Sequence, residues 1–177
     1  MNYTLCLLRY KDSFLLLNRE KKPWMGRWNG IGGKFEIGEN GIECVKREIK
    51  EETNLNVSNV KFFGILNWTI NDELDEGTVF LYVADITEML YETPFKTREG
   101  ILELKSIDWI LNRYNLGIVS NLRVFLSNVL SNEKPKRFIC DYITSDDPLL
   151  DYERVKSERV LDLSDEEIFY FENFVRE

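Results

Sequence analysis

The sequence predicts an α/β (α+β) fold in one domain, and three observations carry that expectation. Apolar, strand-like runs are interleaved with segments of helical periodicity. The 177 residues suffice for one buried core and are marginal for two. The composition, 44% hydrophobic and 31% charged with 10 Gly and 4 Pro, belongs to a chain that folds.

Tyr3–Tyr10 and Phe14–Asn18 are apolar runs flanking Lys11-Asp12-Ser13, the pattern of a β-hairpin. Residues 19–41 hold six of the ten glycines, too many for a regular helix, and predict a long structured loop of the kind that is often functional. Ile42, Val45 and Ile49, at spacings of three and four, predict a helix over Ile42–Thr53, ended by Asn54, which tolerates the left-handed conformation. Val60–Ile70 and Thr78–Ile86 read as strands joined by the acidic turn Asn71–Gly77, and Ile101–Ile110 as another strand. Leu116–Leu130 reads as a helix and Arg137–Ile143 as a strand, and Ser164-Asp-Glu-Glu167 opens a last helix with a capping box.

Composition also excludes chemistries. With no histidine, Ser-His-Asp and Cys-His catalysis and His-containing zinc sites are ruled out, so carboxylates must do any acid–base work. Cys6, Cys44 and Cys140 are odd in number and far apart, which points to a reducing cytoplasm rather than to a disulfide framework. No apolar run is long enough to span a bilayer, and Met1–Thr4 lacks the charged start of a signal peptide, so neither membrane nor export is expected. Residues 1–140 carry 19 acidic and 19 basic side chains, residues 141–177 carry 12 and 4, and the net charge is −8. Such a chain is poorly suited to gripping a nucleic-acid polymer. A phosphate ligand would need a cation between it and the protein.

Glu48, Glu51 and Glu52 stand at i, i+3 and i+4, putting three carboxylates on one helix face at a cost of roughly 0.2–0.5 kcal/mol per like-charge pair. Read alone, the triplet is either a solvated charged face or an all-oxygen site for Mg²⁺ or Mn²⁺. Arg47 stands ready to pin one of these carboxylates.

The wider spacing decides between them. Gly33, Glu39, Arg47-Glu48-Ile49-Lys50-Glu51-Glu52 and Leu55 resemble the Nudix box, G-x5-E-x7-R-E-U-x-E-E-x-G-U, at every position except Asn54, which replaces the last glycine. The six charged or glycine positions coincide by chance about once in 10⁷ windows. The loop Gly26-Arg27-Trp28-Asn29-Gly30-x-Gly32-Gly33-Lys34-x-x-x-Gly38-Glu39 and the segment Arg137–Val155, ending Leu149-Leu150-Asp151-Tyr152, are similar to the MutT-like branch that hydrolyses oxidised purine nucleoside triphosphates. The resemblance implies a Nudix-type α/β/α sandwich, a mixed β-sheet between helices, over residues 1–155. Residues 156–177 match nothing and form an acidic extension with a terminal helix, expected to pack on the same domain, to mediate a homodimer or to bind a partner.

Carried over position by position, the resemblance implies that Glu48, Glu51 and Glu52 bind Mg²⁺ or Mn²⁺ with the backbone carbonyl of Gly32, and that Glu48 is also a candidate base for the attacking water. Arg47 would fix a catalytic glutamate and Glu39 would tie the loop to the helix. Glu99 is either a further metal-binding or basic glutamate or an ordinary turn acid. Asn29 is the first candidate for the base pocket, the alternative being a turn residue bonded to its own backbone. Asn121 either reads the oxidised base or, with Ser120, caps the 116–130 helix. Arg19 and Lys34 are candidates for the phosphates, and Trp24, Trp28 and Trp68 either make a stacking wall or belong to the core. The implied reaction converts an 8-oxo-dGTP-type triphosphate to the monophosphate and pyrophosphate. ADP-ribose, a dinucleoside polyphosphate or an ordinary dNTP is the alternative substrate, and a non-catalytic nucleotide sensor the alternative class.

Overall fold

The computed structural model describes residues 2–70, 73–74, 77–131, 133–143 and 154–177. The opening runs form β1 (Asn2–Tyr10) and β2 (Ser13–Arg19), an antiparallel hairpin closed at the Tyr10–Ser13 pair with Lys11 in the left-handed region. The two strands then part. β2 pairs along its length with β8 (Gly100–Ser106), while β1 pairs in parallel with β6 (Thr78–Ile86). Both are central strands buried on both faces, which is why they read as unbroken apolar runs. Cys6 and Leu8 enter one core cluster and Leu7 the other.

β4 (Val57–Ile70) lies antiparallel to β6 and parallel to β9 (Lys136–Ile143), and β10 (Arg154–Asp162) closes the sheet beside β9. With β7 (Phe95–Lys96) at the far end, the order is β10–β9–β4–β6–β1–β2–β8–β7; β3 (Trp28–Asn29) joins β2 and β5 (Glu73–Leu74) joins β4. The sheet is therefore mixed. One face is covered by α1 (Gly41–Thr53) through Cys44, Val45 and Ile49, and by Phe171 and Phe174 at the end of α4 (Asp165–Glu172) and just beyond it. The other face carries α2 (Ile107–Leu111) and α3 (Leu122–Ser131) through Ile110, Leu122, Phe125 and Leu126. The expected α/β/α sandwich is the observed architecture.

α1 starts and stops on local chemistry. The Asn40 side chain accepts the Ile42 and Glu43 N–H groups, and Glu43 returns a bond to the Asn40 N–H, completing a capping box. Asn54 ends the helix at φ 55°, with its N–H on the Lys50 carbonyl. Asn54→Ala is therefore expected to cost about 1 kcal/mol, because alanine pays for the left-handed geometry, whereas Asn54→Gly costs nothing or stabilises. Urea midpoints of the two variants check this.

Three expectations are corrected, and one strand had no counterpart in the sequence pattern. Ile42, assigned to the buried stripe by spacing, is 40% exposed, and Cys44 fills that role. Ile101–Ile110 is not one strand: β8 ends at Ser106, whose hydroxyl accepts the Trp109 N–H at 3.2 Å and caps α2. The stretch 116–130 is helical only from Leu122, because the Trp28 N–H donates to the Gly117 carbonyl and the Val119 N–H to the Trp28 carbonyl. That non-local pairing overrides helical propensity. β10 went unforeseen because an edge strand with five charged side chains shows no clean alternation. Most of the Asn71–Gly77 turn and the Leu149–Tyr152 match lie outside the described residues.

Candidate active site

The glycine-rich loop lies along the part of β1 that β2 leaves open. The Thr4 N–H donates to the Gly33 carbonyl at 2.8 Å, and Cys6 and Ile31 exchange bonds at 2.6 and 3.0 Å. A side chain on Gly32 would strike the Thr4 carbonyl, and one on Gly33 would land on the Glu48 carboxylate. These two glycines let the loop touch β1 on one side and α1 on the other.

Arg47 organises the helix face toward that loop. Its Nε and Nη2 donate to the two carboxylate oxygens of Glu39 at 2.6 and 3.0 Å, and Nη2 also reaches the Lys34 carbonyl at 2.9 Å. Nη1 donates to Glu48 at 2.9 Å and, at 3.4 Å, to Glu51. The guanidinium is thereby held charged well above its ordinary range, chiefly by Glu39. Its hydrogen bonds pull Glu39 down to about 2. Because the folded-state value lies below the ordinary one of 4.5, this carboxylate stabilises the fold above pH 4.5, and the contribution is lost as pH falls through about 2. Glu39→Gln is expected to cost about 2 kcal/mol at pH 7 and to flatten the dependence of Tm on pH between those values. Thermal melts across that window test it.

Glu48, Glu51, Glu52 and Glu99 line one cleft of about 750 Å³, together with Arg19, Gly32 and Gly33. Burial raises the Glu48 carboxyl despite Arg47. Glu52 is pushed up to about 8, first by burial and then by the charge of Glu48, with Glu99 and Glu51 adding to the effect and Arg19 opposing it. Glu51 is mostly exposed, and Glu99 accepts from Lys21 at 3.0 Å. Among the described residues no three acidic or thiol groups are already drawn together as a metal cage. The donor set nevertheless fits a hard divalent cation: every side-chain donor is an oxygen, and buried Oε2 of Glu52 has no hydrogen-bond partner among the described residues.

A second cavity of about 560 Å³ meets this cleft at Arg19, Gly32 and Gly33. It contains the remaining candidates, Asn29, Lys34 and Asn121. Asn29 Oδ1 accepts the Gly30 N–H at 2.9 Å, so the residue both lines the cavity and bonds to its own turn. Asn121 is buried and donates to the Tyr142 hydroxyl at 2.7 Å; its side chain does not cap α3. Lys34 Nζ stands 5.9 Å from the Tyr3 ring centroid, and Arg19 Nε donates to the Pro23 carbonyl. Trp24 and Trp68 line this cavity, Trp24 edge-on to Tyr142 at 5.5 Å. Trp28 does not; it packs on Trp109 and under Lys105. Sequence reasoning missed Tyr142, and also Tyr91 and Phe95, a stacked pair at 4.5 Å beside the acidic cleft. No local pattern marks them, since only the fold brings them to the site.

The family model described as NUDIX domain matches residues 2–110. The uncharacterized Nudix hydrolase YvcI of Bacillus subtilis is 31% identical over 112 residues, 62% of this chain and 68% of that protein. The NAD-capped RNA hydrolase NudC of Vibrio atlanticus is 40% identical over 57 residues, 32% of this chain but 21% of its own length. The oxidized purine nucleoside triphosphate hydrolase of Mus musculus is 31% identical over 97 residues, 55% of this chain and 60% of the mouse protein. The crystal structure of a MutT protein from Bacillus halodurans superposes with a TM-score of 0.68 at 30% identity, covering 90% of this chain and 96% of that one.

Proposed function

This chain belongs to the NUDIX family as a MutT-like Nudix hydrolase, and on that premise we propose that it hydrolyses an oxidised purine nucleoside triphosphate of the 8-oxo-dGTP type to the monophosphate and pyrophosphate. One observation carries the reading. An aromatic cavity holding two side-chain amides opens at Arg19, Gly32 and Gly33 into a cleft lined by four glutamates, which suits a base at one end and a polyphosphate at the other.

The residues divide the work accordingly. Glu48, Glu51 and Glu52, with the Gly32 carbonyl, would hold Mg²⁺ or Mn²⁺, which when bound offsets phosphate charge and acidifies a water. Arg47 and Glu39 keep Glu48 oriented. Glu48 or Glu99 accepts the water's proton, and Arg19, which borders both cavities, meets the phosphates with Lys34. The Asn29 amide N–H groups face the base edge. Asn121, its N–H engaged by Tyr142, offers a carbonyl to the N7–H that an 8-oxopurine carries and an ordinary purine lacks. We assign this activity to the cytoplasm, since the three cysteines are unpaired and buried. Among the described residues no helix is long and apolar enough to cross a membrane.

A second reading, a dinucleotide or sugar-nucleotide pyrophosphate such as NAD or ADP-ribose, is favoured by the Tyr91–Phe95 stack, which offers a ring face at the acidic end of the site. A nucleotide panel with Mg²⁺ and Mn²⁺ separates the two. The expected result is a kcat/KM for 8-oxo-dGTP about 10²-fold above that for dGTP, since leaving the buried Asn121 carbonyl without a donor costs about 1–3 kcal/mol. A value below that for dGTP would remove the oxidised-purine reading, and a preference for NAD or ADP-ribose would install the second.

A further inference from the structure

We infer that the segment after α4 is a strap holding the catalytic loop, with Arg176 as a positioning residue; the catalytic part of this inference rests on the hydrolase reading above. Phe171 and Phe174 anchor the strap. Their rings lie 5.7 and 5.1 Å from that of Phe80, and Phe174 meets Phe35 edge-on at 5.6 Å. Beyond this anchor the chain pairs antiparallel with the turn that precedes α1. The Gly38 N–H donates to the Arg176 carbonyl at 2.8 Å, the Arg176 N–H donates to the Glu39 carbonyl at 3.0 Å, and Val175 bridges Asn40. The Arg176 guanidinium crosses to the Phe35 carbonyl.

The turn is thus held from Phe35 to Asn40, and it carries both Glu39 and the N-cap of α1. Glu39 grips Arg47, and Arg47 grips Glu48. A chain of direct bonds therefore runs from residues outside the matched family domain to a carboxylate of the acidic cleft, while no strap residue lines the base cavity. Backbone pairing fixes the height of the turn, and the guanidinium fixes its near end. A partner one step removed from a metal ligand, here Arg47, typically sets its orientation, and the strap acts on that partner through Glu39, so its loss lowers rate or metal affinity rather than substrate fit.

The test uses the full chain with Arg176→Ala, Arg176→Lys and Arg176→Pro, the last also removing the N–H given to Glu39. On the best nucleotide at saturating Mg²⁺, kcat is expected to fall about tenfold in Arg176→Ala and further in Arg176→Pro, with KM changed less than about twofold and Arg176→Lys partly restored. Amide exchange of the nucleotide-free protein, which needs no activity, is expected to speed up at Gly38 while the interior of α1 stays protected. Unchanged kcat in Arg176→Ala and Arg176→Pro overturns the strap, as does a fall in kcat that merely tracks the unfolded fraction. If wild type cleaves no nucleotide at all, the hydrolase reading fails and exchange alone decides: faster Gly38 exchange upholds the strap, and unchanged exchange in both variants rejects it.

Discussion

Glu52→Gln is expected to reduce nucleotide hydrolysis by about 10³-fold or more, since under the proposed function it would remove one charged oxygen ligand from a reaction that depends on metal positioning. Glu52 is singled out by its surroundings. Its Oε2 is buried without a hydrogen-bond partner among the described residues, and burial, then the charges of Glu48, Glu99 and Glu51, raise the carboxyl of the metal-free protein to about 8. The folded-state value lies above the ordinary 4.5, so the group's contribution to stability is fully present below pH 4.5 and is lost as pH rises through about 8. The metal-free wild type should therefore lose Tm across that window, and Glu52→Gln, which cannot ionise, should lose less. Adding Mg²⁺ at pH 8 should raise Tm in wild type and much less in the variant. Equal hydrolysis rates in the two proteins would reject a catalytic role for this residue.

Gly33→Ala is expected to lower kcat by about 10²-fold while leaving the protein folded. The added methyl lands on the end of the Glu48 side chain, which can swing away at small steric cost but only by leaving Arg47. Its neighbour behaves differently. A methyl on Gly32 strikes the Thr4 carbonyl, part of the backbone of a central strand, so Gly32→Ala should cost about 2–4 kcal/mol of stability. Melting curves and initial rates of the two variants give opposite patterns. Comparable stability losses in both would show that Gly33 serves only loop packing.

The parts of the site that the sequence revealed are those where neighbours along the chain are also neighbours in space. Glu48, Glu51 and Glu52 share a face because a helix turns every 3.6 residues, and the end of that helix followed from Asn54. The glycines marked a long structured loop, without saying what it lies against. Where the pattern misled, a distant partner had the stronger hold, as Trp28 does on Gly117 and Val119.

By itself, then, the sequence determined the family, the hairpin, α1 with its carboxylates, and the exclusion of imidazole chemistry from a chain without histidine. The tertiary structure decided which residues complete the site. Tyr142 reaches Asn121 because β9 lies beside β4, Phe95 reaches the cleft because β7 pairs with β8, and Tyr91 because its hydroxyl donates to the Thr53 carbonyl. It also decided that Trp28 faces away and that residues 174–176 lie against the Glu39 turn. Contacts of this kind depend on sheet order and layer packing, which are properties of the whole chain; no window of sequence short enough to show a period contains both partners.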